Sequence, residues 1–418
     1  MEDHTLDQKL NKRIAIIGAG AAGLTAAETL RQMGYTRVTI FEHSNRVGGK
    51  CLTQEIDGRL YELGAGVISG NNKTVFALAK RFEVPLERVV FGKSILVDSE
   101  SGEVLKKKTI RQLGRLLYEL IKYKKLLARF SSLSKQGFIQ IDPELSQPFS
   151  IFAKTHRIEL LAAEFALFFT GFGYGYLSEI PAAHVLKYYS RDTLLSFIKR
   201  QIYFFPTGIQ SLWTAVAKKQ DVRLDVKISH IERGDKITIH TEQESQEFDE
   251  LILTSPLDET SQFLDQTSEE HALFSKILYV DYRTIVCSVS GIKKMSGYVP
   301  ANFYPSRPGQ PVFWNHRHPD SDIYTFYVLE DGSMTHDVVE QNVRALIEKM
   351  GGVLNRVHAI QQWKYFPHVS PAEMAEGYFD RLSALQGIRH TYYAGELLNF
   401  STVGLTSAYA EDLIKRFF

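Results

Sequence analysis

Residues 13–23, RIAIIGAGAAG, constrain what this chain can fold into more than any other stretch. Arg13 to Ile17 reads as a buried strand, and three glycines follow at Gly18, Gly20 and Gly23. LTAAETLRQMG then carries helical periodicity and stops at Gly34. A second strand, Arg37 to Phe41, ends in Glu42, about 20 residues past the last glycine. Strand, glycine turn, helix, strand and acid in this register form the βαβ unit that binds a dinucleotide. Gly18 permits the tight turn, Gly20 lets the backbone approach a pyrophosphate, and Gly23 lets the helix pack on the strand. The helix N-terminus offers free N–H groups to phosphate, and Glu42 can accept hydrogen bonds from ribose hydroxyls. A glycine-rich turn in an ordinary α/β unit is the plain alternative; the complete register argues against it.

The bulk properties narrow the classes. The chain has 418 residues, is 44% hydrophobic and 23% charged, and carries a net charge of +1. Such a chain has core enough for two or three domains, and its balanced charge argues against a nucleic-acid binder. Cys51 and Cys287 are too few for a disulfide framework or a multi-cysteine metal site, and they suit a reducing, cytoplasmic setting. The opening MEDHTLDQKLNKR is polar and reads as a short disordered lead-in. No run of about 18 apolar residues suggests a membrane span. His316-x-His318 reads as a solvated loop before Pro319 rather than a metal site, and His368 as a loop histidine near the ligand. No metal is expected.

The sequence after Glu42 separates the cofactor classes. His43-Ser-Asn-Arg46-Val-Gly48-Gly49-Lys50 places two glycines between two cations. The glycines allow close backbone approach, and the cations suit phosphate oxygens. This stretch resembles the flavoprotein amine oxidase superfamily, in which an R-x-G-G-R/K segment wraps a second loop around the FAD diphosphate. Tyr61-Glu-Leu-Gly64-Ala65 resembles the superfamily's next strand and turn, which come near the flavin. Later strands at 223–255 match its ladder, with Val226 in the position that contacts adenine. Near the C-terminus, Ala394-Gly395-Glu396 ends a strand, and a loop leads to a helix expected to begin near Thr406. In the superfamily this loop and helix cover the pyrimidine end of the flavin. The resemblance therefore assigns cofactor contacts to Gly18, Gly20, Ala22, Gly23, Glu42, His43, Arg46, Gly49, Lys50, Gly64, Ala65, Val226, Gly395, Glu396, Thr402, Val403 and Thr406. No cysteine lies in the C-terminal segment, so the FAD is expected to be non-covalent.

These elements imply an α/β fold with a discontinuous Rossmann-like FAD-binding domain over residues 1–80, 190–262 and 380–418. Residues 81–189 read as a helical insertion, through runs such as RQLGRLLYELIKYKKLLARF. Residues 263–379 read as a mixed-sheet substrate domain with one clear helix, VVEQNVRALIEKMG.

Four segments carry a narrower resemblance: GFGYGYLSEIPAAHVLKYY, SGYVP, YFPHVS and YYAGELLNF with DLIKRFF. They resemble the bacterial FAD-dependent polyunsaturated fatty acid isomerases, which make conjugated linoleic acid. That resemblance implies a hydrophobic channel, hydride abstraction from the methylene between two cis double bonds, and return of the hydride at one end of the pentadienyl cation. No protein base is needed, which agrees with the lack of an evident acid–base pair. The family's carboxylate-binding arginine falls on Lys93, a departure that keeps the charge and loses the bidentate fork; nearby Arg88 could serve instead. The family's gating phenylalanine matches Phe197, which by itself reads as a core ring. Phe172 and Tyr174 would offer rings to the channel. The loop Ser401–Leu405 lacks the family's acidic residues.

Residues 106–129 hold nine lysines and arginines against one acid, Glu119, with leucines at helical spacing. A solvated basic face on a core-packed helix and an interfacial helix drawn to anionic lipid are both open readings. Besides the fatty acid isomerase, two function classes stay open. One is an oxidase or dehydrogenase of the amine oxidase type, with Tyr393 as a candidate for its aromatic cage. The other is a non-catalytic flavin-binding protein at a membrane.

Overall fold

The computed structural model describes residues 10–89 and 94–418. The chain opens with β1 (Ile14–Ile17), α1 (Ala21–Gln32) and β2 (Val38–Phe41). A hairpin of β3 (Thr53–Ile56) and β4 (Arg59–Glu62) follows, then β5 (Ile68–Ser69), α2 (Lys73–Arg81), β6 (Glu87–Arg88) and β7 (Ile95–Leu96). A helical stretch comprises α3 (Ile110–Arg129), α4 (Phe149–Thr155), α5 (Glu159–Phe169), α6 (Ala182–Tyr188) and α7 (Arg191–Ile198). β8 (Ile202–Phe204) and α8 (Gln210–Ala217) lead to β9 (Asp221–Arg223), β10 (Ile228–Arg233), β11 (Ile237–Thr241), β12 (Ser245–Phe248) and β13 (Glu250–Leu253). α9 (Leu257–Thr260) and α10 (Ser268–Phe274) precede β14 (Leu278–Ser290), β15 (Gly297–Tyr298), β16 (Pro311–Asn315) and β17 (Ile323–Glu330). The chain closes with α11 (His336–Lys349), β18 (Val353–His368), α12 (Pro371–Ala375), α13 (Tyr378–Ala384), β19 (Thr391–Tyr393) and α14 (Val403–Phe417).

The parallel sheet has the strand order β19-β13-β1-β2-β9. β1 and β13 are buried at every residue, as central strands covered on both faces must be. α1 lies between this sheet and α14 and is buried from Ala22 to Leu30. Its small residues explain why it can be covered on so many sides. One charged residue, Glu28, is fully buried there, and Arg31 at 2.8 Å and Arg81 at 3.3 Å neutralise it.

The second large sheet is mixed, in the order β18-β14-β17-β16-β15-β7. Residue alternation divides its faces. Ile285, Cys287, Trp314, Phe326 and Val328 pack against Val339, Val343 and Ile347 of α11, while Tyr282, Phe313 and Tyr327 belong to the core shared with the helices. Two elements differ from the sequence reading. Ile95–Leu96, in the stretch read as helical, adds a parallel edge strand to this sheet. The 16-residue β18 runs to His368, so that histidine ends a strand, within its buried last four residues, rather than sitting in a loop. Its Nδ1 is 2.9 Å from the Phe366 carbonyl.

An ion-pair cluster ties the β10-β11-β12 sheet to the edge of the parallel sheet. The guanidinium of the buried Arg233 donates twice to Glu270 on α10, at 2.6 and 2.7 Å, and to the carboxylate and the carbonyl of Asp265, at 2.7 and 2.9 Å. Tyr393, on the edge strand β19, donates its hydroxyl to the same Glu270. That bond corrects the expectation for Tyr393, whose hydroxyl is used in this structural cluster. Burial alone would raise the Glu270 carboxyl, but the Arg233 guanidinium and the donors from Thr267 and Tyr393 outweigh it and hold it at about 2. A depressed carboxyl stabilises the fold above the unfolded value of about 4.3, and that contribution is lost as pH falls toward 2. Glu270→Gln is therefore expected to lower the melting temperature at pH 7 and to flatten its fall between about pH 4 and 2. The lost pairing is on the order of 3–5 kcal/mol, as for other buried pairs broken on one side. Thermal melts across that pH range check both effects.

Candidate active site

All five strands of the parallel sheet end on the same edge, and the predicted cofactor residues follow those ends. β1 runs into Gly18, β2 into Glu42, β9 toward Val226, β13 into Thr254 and β19 into Ala394-Gly395-Glu396. The carboxyl edge of an open parallel sheet is where such folds bind their ligands. Gly18 has φ +105°, and a side chain on Gly23 would put its Cβ 1.9 Å from the Gly18 carbonyl oxygen. Both positions therefore require glycine.

The loop after β2 folds back onto this turn. Gly48 N donates to the Ala19 carbonyl at 2.9 Å, and a Cβ on Gly49 would lie 3.3 Å from the Gly20 α-carbon. The two glycine loops thus meet face to face. α1 begins at Ala21 and Ala22 with Gly20 at its N-cap, no capping side chain and no acid in its first turn. Its first N–H groups stay available, as an anion site needs. Half-buried Arg46 donates to the carbonyls of Gly49 at 2.8 Å and Val47 at 3.4 Å and makes no ion pair among the described residues. Burial pushes its guanidinium below its ordinary value, countered by Glu42. Glu42 is buried, accepts from Ala19 N at 2.8 Å and from the Ser44 hydroxyl at 2.6 Å, and bonds Val226 N through its own carbonyl at 3.0 Å. His43 is exposed, with Nδ1 3.0 Å from Glu42. These groups fit the adenosine and diphosphate of a dinucleotide: a glycine-only cleft, free N–H groups, an unpaired guanidinium and a buried acid.

At the other end of the cleft, Lys50 and Glu396 form an ion pair at 2.8 Å. Ala65 N donates to the Lys50 carbonyl at 3.1 Å, and a Cβ on Gly64 would lie 2.0 Å from that oxygen. The mixed sheet stands on this turn, because Trp363 and Thr284 both donate to the Leu63 carbonyl, at 2.6 and 2.9 Å. The C-terminal helix starts earlier than the sequence reading placed it. Val403 is its first residue and Thr402 its cap, accepting from Leu405 N at 3.2 Å. Thr406 lies inside the helix and donates back to Phe400 at 3.0 Å. Gly395 has φ +126°, close under the Thr254 carbonyl.

The ring-rich segment after α5 lies between the helical stretch and the mixed sheet. Gly173 has φ +88°, and a Cβ there would strike the Tyr282 ring at 2.9 Å. Tyr282 in turn donates to the Gly171 carbonyl at 3.2 Å. From Tyr298, six nearly parallel rings run Phe313, Tyr327, Tyr282, Tyr365 and Tyr174, with centroids 4.6, 5.1, 5.8, 5.2 and 5.8 Å apart. Tyr174 continues to Phe400 at 4.9 Å, and Lys50 Nζ lies 5.4 Å from the Tyr365 ring centre. Burial raises the Tyr282, Tyr365 and Tyr174 phenols well above their ordinary range, so they stay neutral. Phe172 meets Phe313 at 5.6 Å, and Phe197 meets Phe168 at 5.4 Å. Of the predicted substrate residues, Phe172 and Tyr174 are thus brought together, and Phe197 joins them through Phe168. Arg88 is exposed and bound to the Tyr203 hydroxyl at 3.2 Å. Lys93 lies outside the described residues.

Tyr282, Tyr327, Tyr365 and Phe400 were not singled out by sequence reasoning. Tyr282 and Tyr327 alternate with the α11-facing residues of β14 and β17, a period-2 signal that marks their face but not their stacking. Tyr365 lay hidden because β18 itself was not foreseen. His316 and His318 are half-buried, bonded to the carbonyls of Ser321 and Leu60. Among the described residues no cluster of three or more histidine, cysteine or acidic groups could hold a metal.

The family profile described as flavin containing amine oxidoreductase matches residues 21–404. The chain belongs to that family. Its fold matches the crystal structure of the CLA-producing fatty acid isomerase from P. acnes with a TM-score of 0.92 and 32% identity, over 98% of this chain and 99% of that one. The FAD-dependent oxidoreductase dpasF of Apiospora sacchari is 27% identical over 420 residues, 91% of this chain and 87% of its own length. Putrescine oxidase shares the fold alone, with a TM-score of 0.76 at 15% identity over 97% and 98% of the two chains. FAD is the cofactor, and the chain is an FAD-dependent enzyme. Glu42→Ala should weaken FAD binding about tenfold or more, the loss expected for a charge-assisted hydrogen bond. Flavin titration of the apoprotein measures it, with circular dichroism to show that the fold is kept.

Proposed function

We propose that this enzyme isomerises a long-chain polyunsaturated fatty acid, moving one double bond to give a conjugated diene. The observation that carries the reading is the six-ring ladder whose fifth ring, Tyr365, lies 5.4 Å from Lys50 of the Lys50–Glu396 pair, in a chain similar over nearly its whole length to a fatty acid isomerase. When bound, FAD supplies a two-electron acceptor and donor, so a hydride can leave the substrate and return with no net change of oxidation state.

The protein's own part is then to bind, orient and keep dry. Aromatic faces are negative at the centre and tolerate a delocalised cation, and stacked neutral phenols exclude water without offering a competing base. His184 and His368, both buried, are held below their ordinary pKa chiefly by desolvation and are uncharged. Gly173 lets the chain lie flat on Tyr282 and Gly171 lets it close on the Leu167 carbonyl and Tyr298, which fixes Phe172 and Tyr174 between the helices and the mixed sheet. Phe197, on α7, is assigned to the channel mouth. Lys93, with Arg88 as the alternative, is assigned to the substrate carboxylate, and the FAD is held without a covalent bond. A free acid of this length partitions into bilayers, so the enzyme would meet its substrate at a lipid surface.

Incubating the FAD-loaded protein with linoleate tests the reading when diene absorbance and hydrogen peroxide are followed together. Diene without peroxide is expected. Peroxide from an amine, with the fatty acid unchanged, would replace this reading with an amine oxidation.

A further inference from the structure

The structure leaves α3 apolar on two adjoining sides, one packed and one exposed. Its inner side is anchored: Tyr123 is fully buried and donates to the Tyr189 carbonyl at 3.2 Å, and Leu116, Leu120, Leu126 and Leu127 pack on the core. Buried Glu119 accepts from Arg115 at 2.7 Å and from Leu161 N at 2.8 Å. At about 100° per residue, Ile110, Leu113, Leu117 and Ile121 form a second stripe beside the packed one and turned to the outside, joined by Tyr118. These five are 52–88% exposed.

Cations border that stripe, and α3 itself carries no exposed acid; Glu159 of α5 lies 3.8 Å from Arg115. Lys108, Arg115 and Arg129 are paired with Glu164, Glu119 and Glu144. Among the described residues Lys106, Lys107, Arg111, Lys124 and Lys125 make no ion pair, and all five are exposed. No helix among the described residues is long and apolar enough to cross a membrane. An apolar stripe flanked by unneutralised lysines, on a 20-residue helix about 30 Å long, has the pattern of a helix that lies in a bilayer interface. Two copies meeting through this face would oppose five unpaired cations to five more. We infer that α3 is a membrane-docking helix that seats the enzyme on anionic lipid, with Leu113, Leu117 and Ile121 inserted and Lys124 and Lys125 at the headgroups.

The position suits a lipid substrate. Tyr123 on the inner side meets Phe165 at 4.9 Å, Phe165 stacks on Tyr189 at 3.8 Å, and Tyr189 meets Phe197 at 6.4 Å. The anchored side of α3 is thus joined by packed rings to the residue assigned to the channel mouth. Docking stands on the surface itself; only the delivery of a fatty acid rests on the proposed function.

Vesicle flotation of the FAD-loaded enzyme tests docking without turnover, so its failure is separate from a failure of isomerisation. The vesicles are phosphatidylcholine with or without about 30% phosphatidylglycerol, at about 20 mM and about 500 mM salt. The wild type should float with the anionic vesicles at low salt and be released at high salt. Leu113→Ser/Leu117→Ser/Ile121→Ser and, separately, Lys124→Glu/Lys125→Glu should each cut the bound fraction about tenfold. Both variants should keep their circular dichroism spectrum and bound flavin. Lys218→Glu/Lys219→Glu, exposed elsewhere, should float as the wild type does. Absence of wild-type flotation at low salt would overturn the inference, as would an equal loss in the Lys218/Lys219 variant. So would a dimer in sedimentation that the serine variant converts to monomer, because a second copy would then cover the stripe.

Discussion

The contact between Gly23 and the Gly18 carbonyl is the point on which the rest of the molecule depends. No room exists there for even one side-chain carbon. That closeness seats α1 on the sheet and aims its uncapped N-terminus along the carboxyl edge. Everything that forms the cofactor cleft is referred to this edge. The Gly48–Gly49 loop folds onto it through Ala19, Glu42 accepts from Ala19 N, and Thr254 donates its hydroxyl to Ile17 and Gly18 across the same turn. A dinucleotide site is thus fixed by backbone packing before any charged side chain takes part.

The second organising feature is the ring ladder, and it couples the two halves of the site. Tyr298, Phe313, Tyr327, Tyr282 and Tyr365 come from the mixed sheet, and Tyr174 from the segment after α5. Each stacked pair contributes on the order of 0.5–1.5 kcal/mol beyond area burial. The ladder's value to the reaction is chemical as much as energetic, since it presents a face without ionisable competition. Its foot is tied to the cofactor edge, because Leu63, between the β3-β4 hairpin and Gly64, accepts from both Trp363 and Thr284. Moving the mixed sheet would therefore move the turn that carries Gly64 and Ala65.

What was legible in the sequence was local. The βαβ unit and the cation-flanked glycines follow from short-range patterns, and the structure forms them with small shifts at their ends; the run from Arg223 to Arg233, which reads as one strand, is instead divided between β9 of the parallel sheet and β10 of the three-stranded sheet, and β12 is an addition. The C-terminal helix begins at Val403 rather than near Thr406 because the Thr402 side chain caps it, a signal present in the sequence. β18 escaped because VLNRVHAIQQWKYFPH has little regular alternation; its partner β14 makes it a strand. The stacking of Tyr282 on Tyr365 and Tyr327 is a product of register, which no short window contains. Tyr393 shows the opposite error: a tyrosine near a cofactor motif suggested a cage, and the buried Arg233–Glu270 pair claims its hydroxyl.

A flavin-dependent rearrangement of this kind leaves the substrate's oxidation state unchanged. Turnover of linoleate by the holoenzyme in air, with the product's mass and the oxygen consumed followed together, decides whether that holds. A conjugated product with the mass of the substrate and no oxygen uptake is expected. A product lighter by two hydrogens, formed with one oxygen consumed per turnover, would rule the rearrangement out.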